Sequence, residues 1–265
     1  MSRRILGVVV IFLLLSGISV RVHAAVVVPG QSTVAGETLG QWNSDWIKWA
    51  SSFGPGPFSD TDGSRGNINQ SGPVFFVAGT GANAGPVTRN ITVSDDKYIF
   101  FPLLNWIVAA GPDPGFADTK AEATALATNT IDPAKLFATI DGVPVANLAS
   151  HRESSGSVFT VTFANNNDYG FPPGTYNDAY GDGYYLMLNP LSTGPHTLHF
   201  GGTGDAYDAG AFQVPAFSVD VTVNLNVVSA NGGGAAAPLP AGIFAGALGA
   251  VPAMMLRRRI MSRKK

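Results

Sequence analysis

The clearest pattern in the chain is strict alternation. Over residues 217–227, Phe217, Val219, Val221, Val223, Leu225 and Val227 alternate with Ser218, Asp220, Thr222, Asn224 and Asn226. Period 2 places one set on a buried face and the other in water, so this segment is predicted to be a half-buried strand. Shorter apolar runs recur at 73–78, 87–93, 97–101, 136–140, 158–163, 184–188 and 196–200. Gly, Asp and Ser clusters separate several of them, such as Ser94-Asp95-Asp96 and Asp141-Gly142. Asp-Gly between apolar runs is a strong hairpin signal.

Two segments break the pattern. Trp42, Trp46 and Trp49 fall at i, i+4 and i+7, which predicts a helix over 37–51 with one aromatic face. Three exposed Trp would be costly, so that face is expected to pack onto a sheet. A second helix is predicted over 118–129, an Ala-rich stretch with Asp118 as its cap. Many short strands with few helices predict a mainly β fold, an antiparallel β-sandwich of the jelly-roll or immunoglobulin-like kind, with one or two short helices. An apolar helix is expected near the C-terminus.

Composition sharpens this picture. The chain has 265 residues and no cysteine, so disulfides, thiolate metal sites and Cys nucleophiles are excluded. Its net charge of −2 hides a segregation. Arg3, Arg4 and Arg21 lie in the first 21 residues, and six basic residues crowd into the last nine. Between them stand seven Lys and Arg against all 18 Asp and Glu, a net of −11. So acidic a domain repels phosphate backbones, which argues against nucleic acid as a partner.

The ends carry an address. Arg3 and Arg4 precede an apolar run, and Val22-His23-Ala24 puts small residues at the −3 and −1 positions. That is a secretory signal over 1–24, with signal peptidase expected to cut after Ala24. The domain follows over 25–230, then a Gly/Ala linker over 231–237. The last segment, 238–265, holds Pro238-Leu239-Pro240, an apolar stretch over 241–256 and Arg257-Arg258-Arg259. The stretch is about 16 residues, short for the ~20 that span a bilayer. The basic end would stay cytoplasmic, leaving the domain outside.

This three-part tail resembles the PEP-CTERM sorting signals of Gram-negative bacteria. The usual motif has Glu where this chain has Leu239; Pro-Leu-Pro is similar to a variant of such tails. The resemblance implies processing near Pro240 by an exosortase, then release or surface attachment. The domain itself resembles a family of secreted bacterial proteins, with which no activity is associated. The residues carrying that likeness are 72–79, 100–105, Asp141-Gly142, 182–188 and 196–202.

Candidate chemistry is sparse. There is no Gly-x-Ser-x-Gly and no His-Glu-x-x-His. No catalytic residue is assigned. His196 and His199, three apart on a strand, would point to opposite faces and bond locally. Asp60, Asp62 and Asn67 around Gly63 resemble part of a calcium loop, so Ca²⁺ is a possible ligand, though no cofactor is required. Asp178 and Asp182, and Asp205 with Asp208, are expected in acidic Tyr-bearing loops that could hold Ca²⁺ or a sugar. Three readings follow: a non-enzymatic surface or matrix protein binding polysaccharide or another envelope component, an extracellular carboxylate-dependent hydrolase acting on polysaccharide, or a purely structural envelope protein.

Overall fold

The computed structural model describes residues 26–110, 118–208 and 213–230. The signal segment with Ala24, the linker, Pro238-Leu239-Pro240, the 241–256 stretch with its expected helix, and Arg257-Arg258-Arg259 lie outside the described residues.

The elements run β1 (Thr33–Val34), β2 (Glu37–Thr38), α1 (Leu39–Ser51), β3 (Val74–Phe76), β4 (Val87–Ser94), β5 (Tyr98–Ala110) and α2 (Thr119–Thr130). Then follow β6 (Ile131–Ile140), β7 (Val143–Pro144), a 3₁₀ turn (Leu148–His151), β8 (Arg152–Ser154), β9 (Phe159–Phe163) and β10 (Gly174–Leu188). The chain closes with β11 (Gly194–Gly204), β12 (Tyr207–Asp208), β13 (Gln213–Val214) and β14 (Phe217–Val228).

Two five-stranded sheets form a sandwich. The inner sheet has the order β3-β5-β10-β8, with β9 also on β10. The outer sheet has the order β4-β14-β11-β6-β7. Pairing within them is antiparallel except for β3–β5 and β4–β14, which are parallel. The turn at Ser94–Lys97 explains this: it carries the chain from β4 in one sheet to β5 in the other, so the two do not form a hairpin.

The alternation fills the space between the sheets. Val221, Val223, Leu225 and Val227 of β14 meet Phe101, Leu103, Leu186 and Leu188 of the inner sheet in one buried cluster. Phe101 and Phe200 touch across it, with ring centroids 4.5 Å apart. The opposite face of the inner sheet is covered by α1. Trp42, Trp46 and Trp49 are buried there against Phe76, Phe100 and Tyr185, as the stripe requires. Each indole N–H donates to a backbone carbonyl, of Val34, Val77 and Ile68 at 2.8–2.9 Å. Burying the rings therefore leaves none of these donors unsatisfied.

Both helices start as their sequences dictate. Thr38 and Gln41 form a reciprocal capping box on α1. The Asp118 carboxylate accepts from the Ala121 amide at 2.9 Å on α2. The Asp141-Gly142 hairpin also forms, with both residues at positive φ.

One expectation is corrected. The segment around Asp178 and Asp182 is no loop but the middle of β10, 15 residues long and flanked by strands on both sides. Gly181 and Gly183 are strand positions with no room for a side chain. A Cβ on Gly183 would lie 2.5 Å from the Leu104 carbonyl oxygen, and one on Gly181 would lie 2.4 Å from Ile47 Cδ1. Close approach of α1 and β5, rather than turning, explains the Gly-Asp-Gly composition.

Candidate functional site: the outer sheet face

The inner sheet is covered on one face by the core and on the other by α1. The outer sheet differs. Its outward side chains are exposed or half-buried across four strands: Thr88, Asn90 and Thr92 on β4, Thr222, Asn224 and Asn226 on β14, Thr197 and His199 on β11, Phe137 and Thr139 on β6. Register sets them in rows. Thr88 stands beside Thr222, Thr222 beside His199, and His199 beside Thr139. The next row runs Asn90, Asn224, Thr197, and the Asn224 amide donates to the Asn90 side-chain oxygen at 3.1 Å.

One end of this face has an aromatic and charged cluster. The Phe137 ring lies against His199, centroids 4.8 Å apart. His199 Nε2 is 2.9 Å from an Asp220 carboxylate oxygen, and both side chains remain about two-fifths exposed. Gly201 sits below: a Cβ there would meet the Val219 carbonyl at 2.0 Å and Phe137 Cζ at 3.2 Å. Glycine thus lets the Phe137 ring lie low on the sheet. Hydroxyls, amides and a partly exposed ring in one plane are groups that hydrogen-bond sugar hydroxyls and stack on their C–H faces.

The residues singled out in the sequence are placed separately. Asp60 is buried, and its carboxylate accepts from the amides of Asp62, Gly63 and Arg65 at 3.0–3.3 Å. Asp62 accepts from the Ser64 amide, which holds its carboxyl below the ordinary value, and Asn67 is exposed. That loop lies along the edge of β4, where the Asn90 amide donates to the Asp62 carbonyl at 2.9 Å. Asp178 accepts from the Thr119 hydroxyl at 2.5 Å. Asp182 is buried in a two-pronged pair with Arg152, at 3.0 and 3.1 Å. That hydrogen bonding raises the Arg152 guanidinium further above its ordinary value. Asp205 pairs with Lys135 at 2.5 Å, and Asp208 accepts from Gln213 at 3.2 Å. Among the described residues, no three His, Asp or Glu side chains gather as a metal site would need.

His196 and His199 do bond locally, each to its own aspartate. His196 Nδ1 is 2.8 Å from the Asp141 carboxylate, and Nε2 is 2.9 Å from the Ser192 carbonyl and 3.3 Å from the Ser192 hydroxyl. The ring thus bridges the Asp141 side chain and the Ser192 segment. In this arrangement the imidazole works as a clasp on two turns.

Phe137, Asp220 and the threonine and asparagine rows were not picked out as a site in the sequence. The signal was present as the wet half of two alternating strands, β4 and β14. Their adjacency is a parallel pairing of segments more than 120 residues apart, which periodicity cannot supply.

The fold and face define an acidic β-sandwich with one open, mostly uncharged sheet surface. Comparison with protein-family models, with curated proteins and with solved structures finds no match to the chain.

Proposed function

We propose that the chain is an exported, non-enzymatic cell-surface or matrix protein whose outer sheet face binds polysaccharide. The observation carrying this reading is the continuous hydroxyl and amide surface on β4, β14, β11 and β6, with Phe137 against His199 at its end. A face kept polar and exposed, while α1 packs on the partner sheet, suits an extended ligand with many hydroxyls. The segregated charge and the two ends support export: a domain of net −11 lies between a secretory signal and a sorting tail. Residues 26–28 pair with the end of β10, through Val28 to Met187 and Asn189 to Val26, so a chain that starts at Ala25 retains the residues that make this pairing.

Affinity electrophoresis through gels containing single polysaccharides tests the binding. At least one polymer is expected to retard the domain, and Phe137→Ala with Asn224→Ala is expected to release it. Free migration through every polymer would remove the reading. Mass spectrometry of the protein from its host tests the address: a start at Ala25 and an end near Pro240 are expected, and an intact chain through Lys265 overturns exosortase processing.

A further inference from the structure

We infer that the ligand of this face is an electrically neutral glycan, held without a bridging calcium ion; this inference rests on the polysaccharide reading above. Three observations lead to it.

The first is charge balance on the face itself. Its central rows present Thr88, Asn90, Thr92, Thr222, Asn224 and Thr197, none of them ionisable. The ionisable groups beside them, His199 and Asp220, are already bonded to each other at 2.9 Å, and Lys135, farther along β6, is paired with Asp205. No Lys or Arg stands in those rows to meet a uronate or sulfate, and a net of −11 on the domain repels polyanions as they approach. A sugar bearing only hydroxyls meets no such repulsion on this surface.

The second is geometry. Outward side chains repeat about every 6.6 Å along each strand and about 4.8 Å between strands, so four strands span roughly 14 Å. The central positions carry side chains of similar reach, Thr or Asn. A face without a deep hollow among these positions contacts an extended chain along its length rather than enclosing a single residue. Phe137 supplies the apolar platform at one end, where a sugar ring can stack on its C–H face.

The third concerns calcium. Lectins that use Ca²⁺ need free carboxylate oxygens gathered at one point. Here Asp60 accepts from three amides, Asp182 is closed by Arg152 and Asp220 is engaged by His199. Direct hydrogen bonds and ring stacking are left as the means of holding the sugar.

Affinity electrophoresis with hydroxyethylcellulose and glucomannan as neutral probes, and alginate as the polyanion, decides the matter at low and high salt, with and without EDTA. Expected is retardation by a neutral polymer that persists in EDTA and between ~20 and ~500 mM salt, because an uncharged partner is not screened. Phe137→Ala is expected to weaken it about tenfold, a typical loss when an aromatic anchor is truncated. Thr88→Ala, a second exposed position, is expected to weaken it less, and both variants should keep the parent thermal midpoint. Retardation by alginate alone, or loss of retardation in EDTA, overturns the neutral, calcium-free ligand while leaving a polysaccharide-binding face in place. No retardation in any gel defeats the polysaccharide reading and this inference with it.

Discussion

Arg89 Nε donates to the backbone carbonyl of Asp60 at 2.8 Å, deep at the rim of the sandwich. Its other two nitrogens reach the carbonyls of Ala78 at 2.5 Å and Gly79 at 3.0 Å. Arg89 takes an inward position of β4, where Ile91 and Val93 continue the core, and it is 2 % exposed. Burial pushes its guanidinium down, and Asp60 and Asp168 are the charges opposing that shift. One side chain therefore ties the loop over the β4 edge to the segment after β3.

Arg89→Met is expected to destabilise the domain by about 3–5 kcal/mol, because three buried carbonyls and the Asp60 charge lose their partner together. Arg89→Lys should recover little of this, since one ammonium cannot reach three carbonyls set around a planar fork. Urea unfolding midpoints check both; a loss below ~1 kcal/mol for Arg89→Met would contradict the role.

Gly63 sits at φ +94°, and a Cβ there would lie only 2.4 Å from the Asn90 carbonyl oxygen. Gly63→Ala should therefore lift the 60–66 loop off β4 at a cost of about 1–3 kcal/mol. Faster hydrogen exchange at the Asn90 amide, which donates to Asp62, is the local readout. Unchanged exchange there would mean that the loop does not guard the strand edge.

Asp182 is 3 % exposed and holds Arg152, which also reaches the Thr128 hydroxyl at 2.8 Å and so joins β10, β8 and α2. Asp182→Ala should cost about 2 kcal/mol through lost charge-assisted hydrogen bonds. Its effect on polysaccharide binding should follow the loss of folded protein and nothing more. A variant that folds normally yet loses a polysaccharide-cleaving activity would revive Asp182 as a reacting carboxylate.

Glu153 is 6 % exposed, and its side chain accepts from the Gln31 amide at 2.6 Å. Burial raises its carboxyl above the ordinary value, partly offset by that hydrogen bond. Between the ordinary and the raised value the folded state binds more protons than the unfolded one, so stability falls as pH rises through that window. Above the raised value the cost is fully present. Glu153→Gln, which keeps an acceptor for Gln31, should melt higher than the parent at pH 7 and match it below about pH 4, near the ordinary carboxyl range. Equal midpoints at pH 7 would refute the buried charge.

His151 gives the opposite slope. Burial lowers its imidazole, so the unfolded state takes up the proton first as pH falls below about 6.5. Its contribution is complete above that value and is lost as pH falls toward the lowered one. His151→Phe should flatten the melting profile between pH 7 and pH 5; an unchanged slope would place the acid sensitivity elsewhere.

Much of the fold was legible in the residues. The β14 alternation, the Trp stripe of α1, the Asp118 cap and the Asp141-Gly142 hairpin each rest on local rules of periodicity, capping and turn geometry, and each is present. Local rules failed at β10. Gly-Asp-Gly reads as a turn unless one knows that Arg152 neutralises Asp182 and that α1 and β5 leave room only for glycine. The candidate site was half legible, as a wet face without neighbours.

By itself the sequence determined the mainly β character and the acidity of the domain, because composition and period act along the chain. Only the tertiary structure decided which wet face stays open. The Trp face and the outer Thr and Asn face are both periodic surfaces, but α1 covers the inner sheet while the parallel pairing of β4 with β14 assembles the open one. That choice depends on which segments meet in space, and the free energy of burying three Trp rings outweighs anything local that could have announced it.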